Sequence, residues 1–163
     1  MSQDNLEQNE PDNLIADLIH RGGVYFNIEG ENPSMVYQHI SNLPTIPESL
    51  SPEVLYSELC RREDLLSTAV GNGIAIPHPR YPLLKESSEQ RIIVTYLDRP
   101  LAMNSVDIRP VYVFFTILTS SSKDHLKVLS RLAFIFQKEE FRSILEKKPN
   151  EEELLLAIEK YSK

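Results

Sequence analysis

The sequence predicts an α/β fold, a mixed β-sheet flanked by helices on both faces. Three observations lead there. Residues 91–97 (RIIVTYL) and 111–118 (VYVFFTIL) are β-branched and aromatic runs of strand length, residue types that suit a pleated surface. The second run is apolar without alternation, the mark of a central strand covered on both sides. Segments of helical period stand before and after these strands, so helices are available to cover each face.

The elements follow in order. Leu14, Ile15, Leu18 and Ile19 recur at helical spacing and stop at Gly22-Gly23, which predicts a short amphipathic helix closed by glycine. Residues 24–28 (VYFNI) read as a strand. Asn32-Pro33 and Ser51-Pro52 each place a capping side chain before a proline suited to a first helical turn, predicting helices over 33–43 and 52–64. Pro44 and Pro47 mark the loop between them. A flexible glycine-bearing turn over 67–73 runs into a short strand over 74–76. From Ser122 the period changes, because Leu126, Leu129, Leu132, Ala133 and Phe136 fall along one helix face, expected in the core. A shorter helix over 139–147 comes next. The last helix starts at Asn150, which with Glu153 has capping-box spacing.

The 163 residues suit a single domain over 13–163. Before it, Asp4, Glu7, Glu10 and Asp12 occur with no lysine or arginine, so 1–12 reads as an acidic flexible tail. A net charge of −7 argues against nucleic acid or an anionic membrane as partner. No apolar run approaches the roughly 20 residues that cross a bilayer. Cys60 is the only cysteine and no leader pattern precedes the first helix, so a reducing cytoplasm is expected.

The segment Ser67-Thr68-Ala69-Val70-Gly71-Asn72-Gly73-Ile74-Ala75-Ile76-Pro77-His78-Pro79-Arg80 concentrates the chemistry. Gly71 and Gly73 leave room for another molecule to approach, and Pro77 and Pro79 restrain the backbone on either side of His78. An imidazole framed this way at a strand end is the candidate functional side chain. Zinc would need further ligands, and there is no His-x-x-x-His and no cysteine pair. Gly71-Asn72-Gly73 is not followed by Gly-Lys-Ser or Gly-Lys-Thr, so a P-loop is absent. His20, His39 and Cys60 read as structural or solvated residues.

The same segment resembles the active-site region of enzyme IIA proteins of the phosphotransferase system, in the fructose, mannitol and nitrogen-regulatory class. The similar pattern continues to about Ile158. This resemblance implies the mannitol/fructose-type enzyme IIA fold, with the reactive histidine near a strand end. It implies that His78 accepts a phosphoryl group at Nε2 from a histidine-containing phosphocarrier protein, with no cofactor, metal or nucleotide in that step. An Arg-Glu pair sits at the family's offset before the histidine, which selects Arg62 over Arg61, and His125 matches a second active-site histidine. The chemistry fits these roles: charge spreads over the equatorial oxygens in phosphoryl transfer, a guanidinium grips two of them at once, and a helix start favours an anion. Pro79 stands where the family has glycine, which removes one backbone donor beside the histidine. Arg80 either lines the site or assists docking. The implied acceptor is a regulatory target protein in a nitrogen-type role; the alternatives are an enzyme IIB served by a stand-alone sugar-specific IIA, and a binding module that has lost transfer.

Overall fold

A computed structural model describes residues 13–163, and the acidic tail expected over 1–12 lies outside them. The first helix, α1 (Leu14–Gly22), ends at Gly23, whose φ of 87° lets the chain turn directly into β1 (Val24–Ile28). Helices α2 (Pro33–Ser41) and α3 (Pro52–Leu65) start as predicted. The Asn32 side chain accepts from the Met35 N–H, the Ser51 side chain accepts from the Val54 N–H, and a proline fills each first turn. Next come β2 (Ala69–Gly71), β3 (Ile74–Ala75), β4 (Arg91–Leu101) and β5 (Val111–Leu118), then α4 (Ser122–Phe136), α5 (Glu139–Glu146) and α6 (Glu151–Tyr161).

The strands make one five-stranded mixed sheet in the order β1-β4-β5-β3-β2. β4 and β5 are antiparallel, whereas β1 runs parallel to β4 and β3 parallel to β5, with Ile74 opposite Val113 and Ala75 opposite Phe114. The unbroken apolarity of β5 is explained by its place in the middle. Val113, Phe115 and Ile117 pack toward α1, α4, α5 and α6, while Val111, Phe114 and Leu118 pack toward α2 and α3. Helices cover both faces, as the sequence predicts.

Three expectations change. Residues 67–73 form a hairpin, not a flexible turn: β2 pairs antiparallel with β3 across Asn72 and Gly73, at φ 57° and 79°. Two successive residues at positive φ match the twist of a two-residue hairpin loop, and a strand as short as β2 shows no readable alternation. A Cβ on Gly73 would stand 2.6 Å from the Tyr112 ring, so the loop also needs a glycine for space. Second, the buried face of α4 is rotated from the predicted one. Val128, Leu132, Ile135 and Phe136 are buried, but Leu126 is 67% exposed and Ala133 is exposed. The two-residue β3 gives the sheet too little surface on that side, so Leu129 and Ala133 instead line an open groove of about 560 Å³ with Val70, Ile74 and Ile76. Third, β4 runs past the expected 97 to Leu101 through a register irregularity after Tyr96. Its Asp98, Arg99 and Pro100 are exposed and carry no strand pattern. Among the described residues, no helix is long and apolar enough to cross a membrane.

Candidate active site

His78 leaves the sheet just past β3, where pairing continues for a few residues beyond the strand. The Ile76 N–H donates to the Thr68 carbonyl at 3.0 Å, and the Ile117 N–H on β5 donates to the Pro77 carbonyl at 2.9 Å. Both sides of the Ile76 carbonyl are thereby held. Nδ1 of His78 lies 2.7 Å from that oxygen. A carbonyl oxygen only accepts, so Nδ1 carries the proton and the neutral ring keeps its lone pair on Nε2.

His125 sits in the first turn of α4, and its ring centroid is 4.7 Å from that of His78, with the planes inclined by 50°. Ser121 caps this helix by accepting from the Asp124 N–H at 3.1 Å, and the His125 N–H donates to the Ser121 carbonyl at 3.0 Å. The Asp124 amide is thus capped, and the His125 amide makes the first bond within the helix. The helix also brings the His125 imidazole to this place.

Arg62 comes from the last turn of α3, where Nη1 donates to the Leu66 carbonyl at 2.6 Å. Its charge acts on both histidine rings. Of the three side chains predicted from sequence, the structure sets the two imidazoles against each other, and it brings Arg62 near enough for its charge to act on both. Arg80 lies over the Tyr81 ring at 5.4 Å and lines, with Pro79, Ser122 and His125, a small cavity at the rim. Cys60 is half-buried, with its Sγ 4.0 Å from Ser34 Oγ, and does not join the cleft. Among the described residues, no three His, Cys, Asp or Glu side chains are grouped as a metal ion would require.

Burial lowers the His78 pKa from 6.5 to about 4; the charges of His125 and Arg62 act in the same sense and together outweigh the Ile76 hydrogen bond and Glu63, which raise it. His125 is also lowered, first by burial and then by Arg62. At neutral pH both imidazoles are therefore neutral beside the Arg62 guanidinium, and His78 keeps a free nitrogen lone pair. A pH dependence of stability follows. The unfolded chain binds more protons at His78 than the folded one between pH 6.5 and about 4, so stability is expected to fall as pH drops through that window, by about 3 kcal/mol from this group. Urea melts of the wild type and of His78→Gln at neutral and acid pH measure it, with the smaller acid loss expected in the variant. Equal losses would show that His78 is not held neutral.

Glu63 is the residue that sequence reasoning passed over as a site member. It adjoins Arg62 and its charge reaches His78; the Arg62-Glu63 pair was the available signal.

Comparison with known proteins bears on the whole chain. The family described as "Phosphoenolpyruvate-dependent sugar phosphotransferase system, EIIA 2" matches residues 17–161. A nitrogen regulatory protein of Pseudomonas aeruginosa is 30% identical over 144 residues, covering 86% of this chain and 91% of that protein. The crystal structure of nitrogen regulatory protein IIA-Ntr from Neisseria meningitidis superposes with a TM-score of 0.76 at 26% identity, over 89% of this chain and 99% of that one. The mannitol enzyme IIA of Escherichia coli, solved in complex with phosphorylated enzyme IIB, has the same fold, with a TM-score of 0.65 at 13% identity over 84% of this chain and 94% of that one. The match spans nearly all the described residues and includes every element that builds the cleft, and the chain belongs to the EIIA type 2 family of the phosphoenolpyruvate-dependent phosphotransferase system.

Proposed function

We propose that this phosphotransferase component carries its phosphoryl group on Nε2 of His78, received from a histidine-phosphorylated carrier protein, in the cytoplasm and in a regulatory, nitrogen-type role. The observation that carries the reading is the tethering of Nδ1 to the Ile76 carbonyl at 2.7 Å, which leaves Nε2 as the nucleophilic nitrogen. In the transfer, the Nε2 lone pair forms a bond to phosphorus while the donor's nitrogen–phosphorus bond breaks and its electron pair returns to the donor imidazole. Nδ1 keeps its proton, and the Ile76 carbonyl stabilises the positive charge that the ring acquires. Arg62 meets the equatorial oxygens, and His125, at 4.7 Å between ring centroids, supplies a further donor to them.

The nitrogen regulatory relatives support a role in which the added negative charge alters binding to a target protein. The mannitol relative, seen with phosphorylated enzyme IIB, supports the other route, onward transfer to a IIB protein. Intact mass analysis after incubation with phosphoenolpyruvate, enzyme I and the histidine-containing carrier protein tests the reading. One acid-labile phosphoryl group is expected. Failure to label with a donor set that labels a known enzyme IIA would overturn it, and rapid drainage of the label by a purified IIB would replace the regulatory role with a transport one.

A further inference from the structure

Glu63 sits beside Arg62 on α3, yet the two side chains diverge, because successive helical residues point about 100° apart. Its carboxylate is turned into the protein. One oxygen accepts from the Thr68 N–H at 2.9 Å, and the other accepts from Thr68 Oγ1 at 2.7 Å and from the Tyr37 hydroxyl. Thr68 is 3% exposed and Tyr37 1%. A carboxylate there is satisfied only while all three donors keep their places, so it pins Thr68 firmly. Burial first, and then the charge of Glu63, raises the Tyr37 hydroxyl well above its ordinary range, so the phenol stays a donor to this carboxylate.

We propose that Glu63 is a positioning residue for the reactive ring, acting on His78 through Thr68 and the Ile76 backbone. The inference rests on the reading of His78 as the phosphoryl acceptor. The links run in one direction. Glu63 holds Thr68, the Thr68 carbonyl accepts from the Ile76 N–H at 3.0 Å, and the Ile76 carbonyl accepts from Nδ1 of His78 at 2.7 Å. The N–H and C=O of Thr68, like those of Ile76, belong to successive peptide units, so this chain transmits position rather than charge.

Two clamps locate the Ile76 carbonyl. One is β5, through the bond from the Ile117 N–H to the Pro77 oxygen at 2.9 Å, and the other is Thr68. β5 is the central strand and is anchored by both cores. Thr68 precedes β2, the outermost strand, whose three residues have register only with the two-residue β3; beside it, the Ser67 hydroxyl donates to the Met103 carbonyl and accepts from the Ala69 N–H, but neither bond reaches Thr68 itself. Glu63 supplies the support that the short hairpin lacks. If it is removed, the Ile76 oxygen is free to drift from Nδ1, and the ring can then place its proton on either nitrogen and rotate in the cleft.

The test uses uniformly ¹⁵N-labelled full-length protein without any donor, reading the His78 ring nitrogen shifts, which distinguish the tautomers. In the wild type the proton is expected on Nδ1. Glu63→Ala is expected to give a mixture of tautomers and about a 10-fold slower initial rate of phosphoryl acceptance. Glu63→Gln keeps a carbonyl acceptor for the Thr68 N–H but sets an amide NH2 against the Thr68 and Tyr37 hydroxyls, so it is expected to restore both readouts in part, which a role for the charge alone would not permit. Where Glu63→Ala does not fold, Thr68→Val, equal in shape but without the hydroxyl donor, is expected to shift the tautomer ratio in the same sense. An unchanged ratio and rate in the folded variant would overturn the proposal. A wild type that never labels would instead defeat the acceptor reading, while the tautomer measurement would still judge Glu63.

Discussion

His78→Ala is expected to abolish phosphoryl acceptance, with no label detectable by intact mass under conditions that fully label the wild type. The fold should survive, because His78 lies in a loop beyond β3 and its ring contributes one hydrogen bond, to the Ile76 carbonyl at 2.7 Å. The side chain nearest to hand as a substitute acceptor is His125, whose ring centroid is only 4.7 Å away. It belongs to α4 rather than to the clamped strand end, so its lone pair is directed by a different element, and proximity without alignment recovers little of the rate. Label persisting on His125 in the variant would remove the assignment of Nε2 of His78. Arg62→Lys tests the companion role. Lysine keeps the charge but loses the two-pronged grip on phosphoryl oxygens, so transfer is expected to slow by roughly 100-fold with an unchanged melting temperature. An unaltered rate would take Arg62 out of the mechanism.

Gly22→Ala is expected to produce the largest loss of stability. A Cβ at this position would stand 1.9 Å from the Ile92 carbonyl oxygen and 2.5 Å from its carbon. Both are backbone atoms of β4, so no side-chain rotation relieves the overlap. The end of α1 would have to lift from the sheet, withdrawing Ile15, Leu18 and Ile19 from the core they share with Ile92 and Val94. Overpacking of this kind costs about 3 kcal/mol or more, a large part of the ~5–15 kcal/mol that holds a domain together. A fall in melting temperature of about 10 °C is expected by circular dichroism. A variant melting within a few degrees of the wild type would show that α1 moves off β4 at little cost.

Local signals in the sequence were enough to locate most elements. Capping side chains before proline announced α2 and α3, and the unbroken run of β5 announced a middle strand, because these signals depend on neighbouring residues and on burial alone. The resemblance to enzyme IIA proteins singled out Arg62, His78 and His125, and rigid framing by two prolines marked His78 independently. The β2–β3 hairpin and the turned face of α4 were not legible. A three-residue strand has no period to read, and which side of a helix is covered depends on how much sheet lies beneath it. Leu126 is apolar and correctly spaced, yet 67% exposed.

The chemistry of the cleft divides in the same way. The residue types came from the chain: an imidazole to carry a phosphoryl group, a guanidinium to meet its oxygens, a second imidazole beside them. Their protonation and aim came from tertiary contacts. The proton on Nδ1 of His78 follows from a carbonyl oxygen at 2.7 Å, and the fall of its pKa to about 4 follows from burial beside His125 and Arg62. A sequence determines which groups are available, but the energy of a proton or a lone pair depends on distances between groups that only folding brings together.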